Sequence, residues 1–186
     1  MLSLPQSWTS TLAFAMGGLI VLLAYTPLAD MIASYWIKTP PTLGAFRGLQ
    51  QSRAKLILGI VIAWILGGFV EEFVLRGVIV RLGEAFLAAR MPEIAAIVIA
   101  VGTAAAVAFV AHLYQGVRAA LIVTQLSVLF GALYVISGYN LWAAILAHGL
   151  YDTVAFVRFA NKESKYSDLA GGNTQDREEE KDSQRQ

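Results

Sequence analysis

The chain has 186 residues, of which 57% are hydrophobic, 15% charged and none cysteine, with a formal net charge of +1 and a mean hydropathy of +0.61. Residues 161–186 hold five of the fourteen Lys/Arg and seven of the thirteen Asp/Glu, leaving nine basic and six acidic residues for positions 1–160. A body so poor in charge cannot present a water-facing surface, no basic stripe marks a nucleic-acid binder, and the lack of cysteine excludes a disulfide framework, a thiolate nucleophile and a Cys-based zinc site.

In chain order, the first charged side chain is Asp30, so residues 10–29 form an apolar stretch long enough to cross a hydrocarbon core of about 30 Å as a helix. Without a basic n-region, the stretch does not read as a cleaved signal peptide. The connection 30–54, with its Thr39-Pro40-Pro41 step, reads as an exposed loop. Lys55 to Val70 is a second apolar run and continues directly into Glu71 and Glu72. From Arg76 to Arg90 apolar and charged residues alternate at helical spacing, the pattern of an amphipathic helix lying at an interface. Ile94 to Ala111 is a third run and ends at His112. Ala119 to Ala147 carries no charge and is too long for one span, so the turn residues Ser137-Gly138-Tyr139-Asn140 divide it. A fourth helix is expected near 118–136 and a fifth near 141–160.

The predicted fold is an all-α membrane protein with about five transmembrane helices plus one interfacial amphipathic helix, and with a catalytic cavity between helices. Residues 1–54 form an N-terminal helix and loop, 55–160 a membrane core and 161–186 a disordered, solvated charged tail. One side of the spans carries Lys38, Arg47, Arg53, Lys55, Arg118, Arg158, Lys162 and Lys165, the other only Arg81 and Arg90. The positive-inside rule therefore puts the N-terminus outside and the C-terminus in the cytoplasm, at the plasma (inner) membrane if the source is bacterial.

Glu71, Glu72, Arg76, His112, His148 and Asp152 stand inside or at the ends of these apolar helices, and they include both histidines of the chain. An ionisable group at the bilayer centre costs about 2.5–3.5 kcal/mol even on the lenient insertion scale, so the set implies a penalty on the order of 10 kcal/mol before pairing. Glu72 and Arg76 are four apart in the favourable order for an intrahelical ion pair. Glu71, about 100° further round, is left without that partner. His148 and Asp152 are also four apart and share a helix face. Three helices thus offer Glu, His and His/Asp to one wet cavity.

A desolvated carboxylate can take a proton from water as general base, and imidazoles can share that proton or stabilise an oxyanion. Glu71, His112, His148 and Asp152 could instead bind a divalent metal such as zinc, with ligands gathered from separate helices because no H-E-x-x-H is present. A serine nucleophile lacks its G-x-S-x-G elbow. Each pattern alone has a plain reading, since paired acids before an arginine are common on solvated helices. It is the order of all three on apolar helices that points to a site.

Glu71-Glu72-Phe73-Val74-Leu75-Arg76, Phe109-Val110-Ala111-His112 and His148-Gly149-Leu150-Tyr151-Asp152 resemble the three signatures, E-E-x-x-x-R, F-x-x-x-H and H-x-x-x-N/D, of the CAAX-protease and bacteriocin-processing (Abi) family of intramembrane proteases. The resemblance covers residues 55–160. Its second motif departs, because Phe109 lies three residues before His112 and position 108 is Ala. The resemblance implies an intramembrane endopeptidase in which Glu71 activates the attacking water, His112 assists, and His148 and Asp152 polarise the scissile carbonyl and its oxyanion. Glu72 and Arg76 would hold the helix and orient Glu71. It leaves open whether a metal takes part. The implied partners are the lipid bilayer and a membrane-associated protein or peptide substrate, CAAX-type or leader-containing, with no nucleic acid. Tyr114, Gln115 and Asn140 are further candidates for substrate contact. Two other readings remain: a proton-coupled transporter using the intramembrane Glu, His and Asp as a relay, and a non-catalytic membrane scaffold or immunity protein.

Overall fold

The computed structural model describes residue 5, residues 7–42 and residues 44–161. The charged tail expected over 161–186 therefore lies, from 162 onward, outside the described residues. Helix α1 (Trp8–Trp36) begins at Ser7, whose side chain caps it by accepting from the Ser10 N–H. It runs past the expected end at 29 because Asp30 is paired. Arg118 donates from Nε and Nη2 to the two Asp30 carboxylate oxygens, both at 2.8 Å, so the acid does not terminate the helix.

Helix α2 (Arg53–Ala88) is 36 residues long, about 54 Å at the α-helical rise and well beyond a hydrocarbon core of about 30 Å. The amphipathic stretch expected as a separate interfacial helix continues α2 without a break. Its charges are what made it look superficial, yet Arg76 and Glu84 are buried and paired, with Glu72 and Arg81 respectively. Helix α3 (Glu93–Ala111) buries Ala96, Ala100, Ala104 and Ala108, a ridge at every fourth residue. That ridge lets α2 and α4 approach closely, and Ala100, Ala104 and Ala108 join Leu75, Val80, Tyr134, Leu141 and Ile145 in one apolar cluster.

Helix α4 (Val117–Ile136) ends in the turn expected at 137–140. Gly138 has φ +72°, the left-handed conformation that closes a helix without a Cβ penalty. Its N–H donates to the Val135 carbonyl, and that of Tyr139 to the Tyr134 carbonyl. Helix α5 covers residues 141–161. Among the described residues α1 to α4 are long and apolar enough to cross a membrane. The fifth helix has similar length but carries His148, Asp152 and Arg158. The chain is thus an all-α, multi-pass membrane protein.

The connection between α1 and α2 is not simply an exposed loop. The Thr42 N–H donates to the Gln115 carbonyl at 2.8 Å, Gln50 Nε2 to the Phe159 carbonyl at 3.3 Å, and Phe46 packs against the Phe156 ring. Leu49 lies over Gly59, where any side chain would collide with it. These contacts fold the segment over one end of the bundle.

Candidate active site

A cavity of about 840 Å³ lies between the helices. Its wall includes the buried Arg76, Ser127 and Phe130 and the less buried Lys55, Phe46 and Phe159. Every helix contributes to the wall, α1 only through Thr26.

Helix α2 is locally widened where it passes the cavity. Residues Trp64–Glu71 and Phe73–Val80 adopt π-helical turns, and the Arg81 N–H reaches the Arg76 carbonyl five residues back. Such turns are rare in regular helices and occur frequently at functional sites.

Glu72 is fully buried, at 0% exposure. Its Oε1 accepts from Arg76 Nη1 at 3.1 Å, the pair that the spacing predicts, and also lies 2.7 Å from His148 Nδ1. Arg76, 1% exposed, donates from Nη2 to the Ser127 carbonyl at 2.9 Å and to Ser127 Oγ at 3.0 Å. Its guanidinium stands 5.3 Å from the Phe130 ring centre, and the same ring stacks on the His148 imidazole at 4.7 Å. Among the described residues Glu72 Oε2 and Arg76 Nε have no hydrogen-bond partner.

Glu71 lines the cavity and, among the described residues, makes no hydrogen bond or ion pair. His112 closes α3, with Nδ1 at 2.9 Å from the Ala108 carbonyl. A proton on Nδ1 is held there, which leaves Nε2 as the acceptor of the ring. The chain then turns through Leu113–Gln115 to Gly116, whose φ of +93° suits glycine.

His148 and Asp152 come from α5. Asp152 Oδ2 is 3.6 Å from His148 Nε2, longer than a direct hydrogen bond. Glycines set the depth at which α5 seats on α2. A Cβ on Gly68 would stand 3.4 Å from the Gly149 backbone, and one on Gly149 would collide with the Trp64 ring. Trp64 Nε1 donates to Thr153 Oγ1 at 3.0 Å, fixing the seam.

Glu71, Arg76, His112, His148 and Asp152 therefore line one cavity, and Glu72 lies behind them, bonded to two of the set. Tyr114 and Gln115 also line it. Asn140 does not; it donates to Thr11 Oγ1 at 2.7 Å and accepts from the Ala143 N–H at the start of α5, a structural cap. Sequence reasoning missed Ser127 and Phe130. A serine in the middle of an apolar span was the available signal for the first, and nothing local marks the second.

Among the described residues no three His, Cys, Asp or Glu side chains converge into a set that could hold a metal ion. Glu71, His112, His148 and Asp152 are thus not gathered into a metal site as arranged, and no step below is routed through one.

A family model described as type II CAAX prenyl endopeptidase Rce1-like matches residues 53–154, more than half of the chain and the segment that carries all six motif residues. No curated protein and no solved structure matches the chain.

Proposed function

The chain belongs to the type II CAAX prenyl endopeptidase Rce1-like family, and on that premise we propose that it hydrolyses a peptide bond in a membrane-associated protein or peptide with water activated by Glu71. The observation that carries this reading is the unpartnered Glu71 carboxylate facing the cavity that also holds His112, His148 and Asp152. Glu71 takes a proton from water as the hydroxide adds to the scissile carbonyl carbon, with His112 Nε2 as a second acceptor. Glu71 then returns that proton to the departing amine, so the bond breaks with protons balanced.

The oxyanion formed in the first step needs donors. His148 gives Nδ1–H to Glu72, so its Nε2 donates only as the imidazolium. Asp152 donates only in its protonated form, a demand that the asparagine alternative of the motif would not make. Glu72 fixes the ring of His148, and Arg76 in turn fixes Glu72 from Ser127. The substrate reading is a lipidated CAAX-type or leader-containing chain, drawn into a largely apolar cavity whose wall includes Lys55, at the end of the spans that also bears Lys38, Arg47, Arg53 and Arg118. By the positive-inside rule that end faces the cytoplasm.

The test compares the membrane-associated peptides of cells carrying wild type with those carrying Glu71→Gln. The substitution removes the base and touches no hydrogen bond. Trimmed termini in wild type alone, with turnover reduced by about 10²–10⁴-fold in the variant, are expected. Identical peptides from equally abundant proteins would sink the proposal and bring forward the scaffold and transporter readings.

A further inference from the structure

Resting on that reading, we infer that Gly67 is a positioning residue for the reaction: its bare Cα is the seat on which the Asp152 carboxylate lies beside His148. A Cβ built on Gly67 would stand 2.8 Å from Asp152 Oδ2 and 3.4 Å from His148 Nε2. The first separation is closer than real Cβ atoms tolerate. Any side chain at 67 therefore displaces the carboxylate, while it meets the imidazole only at contact distance.

Gly67 stands four residues before Glu71 on the π-helical stretch Trp64–Glu71, and both line the cavity. One face of α2 thus supplies the base and, a turn earlier, the floor under the oxyanion-binding pair. The neighbouring glycines have a different job. A Cβ on Gly68 would meet the Gly149 backbone, and one on Gly149 would meet the Trp64 ring, so those two serve helix packing. Gly67 alone among the α2 glycines meets only polar atoms and one ring carbon, all from Asp152 and His148.

Helix propensity makes the test sharp. Alanine is a better helix former than glycine, so a glycine with no steric role should give a more stable and equally active alanine variant. Gly67→Ala should instead hold or raise the melting temperature while kcat/KM falls about 100-fold, the loss typical of misplacing a reacting group by about 1 Å. Gly102→Ala is the control, since a Cβ there meets nothing within 4 Å, and it should leave activity unchanged.

A double-mutant cycle with Asp152→Ala completes the experiment in purified, lipid-reconstituted full-length protein. With the carboxylate gone, Gly67→Ala should raise the melting temperature more than it does in wild type, and it should cost no further activity. Equal stability changes in the two backgrounds, or multiplicative activity losses, overturn the inference. Stability coupling with full activity in Gly67→Ala also overturns it, while the peptidase reading stands. A wild type that cleaves nothing, against unaltered stability coupling, instead brings down the peptidase reading and the role of Gly67 with it, leaving only the contact.

Discussion

Helix α2 carries two ion pairs about two turns apart, and they are built differently. Glu72–Arg76 is buried at both partners and tied to His148, Ser127 and Phe130, yet leaves Glu72 Oε2 and Arg76 Nε without hydrogen-bond partners among the described residues. Arg81–Glu84, at 2.9 Å, keeps its arginine 45% exposed over the Tyr139 ring at 4.4 Å. The second pair joins the end of α2 to the α4–α5 turn. A buried pair repays its desolvation poorly, so the first is a costly way to hold helices together. Its reach to His148 gives it a use that the outer pair lacks: it fixes an imidazole at the wall of the cavity.

The largest effect that would test this contrast comes from Arg76→Met. It leaves Glu72 buried without its arginine and with His148 as its remaining partner, and the loss expected is about 3–5 kcal/mol, read from denaturation in lipid or detergent, with turnover abolished. A loss below about 1 kcal/mol would mean that the pair is far better solvated than its burial implies. Phe130→Leu comes next. Removing the ring shared by Arg76 and His148 should lower kcat about tenfold with KM nearly unchanged and cost no more than about 1.5 kcal/mol of stability. A rise in KM with kcat intact would assign Phe130 to substrate binding. The smallest effect belongs to Arg81→Gln, expected to cost about 1 kcal/mol or less and to leave cleavage kinetics at the wild-type values. Lost activity there would erase the distinction between the two pairs.

The helices were legible because the spans end where charge or turn residues stand: His112 after α3, and Ser137-Gly138-Tyr139-Asn140 after α4. The Glu72–Arg76 pair was legible because i,i+4 spacing is a property of one helix. What spacing could not supply is which side chain of another helix meets it. His148 on Glu72, Ser127 on Arg76 and Phe130 between them lie 51 or more residues from their partners in sequence or reach across to another helix. The same limit explains the amphipathic stretch after Arg76. Charges at helical spacing look like a solvated face until the opposing partners, Ser127 and Tyr139 among them, are in place. The packing of the connection between α1 and α2 rests on the Thr42–Gln115 and Gln50–Phe159 hydrogen bonds and on Leu49 over Gly59, none of which composition records.

The widened turns of α2 give that helix something like a reading frame. A π-turn holds more residues than an α-turn, so the winding over 64–80 sets which way the two ends of the helix face. If one residue were removed there and the widened turns kept, everything on one side of the cut would swing by about 100° relative to the other. Trp64 and Gly67 would no longer face α5 when Arg76 faces α4, although every motif residue would still be present. Across this stretch, a change of length is therefore more damaging than most changes of residue.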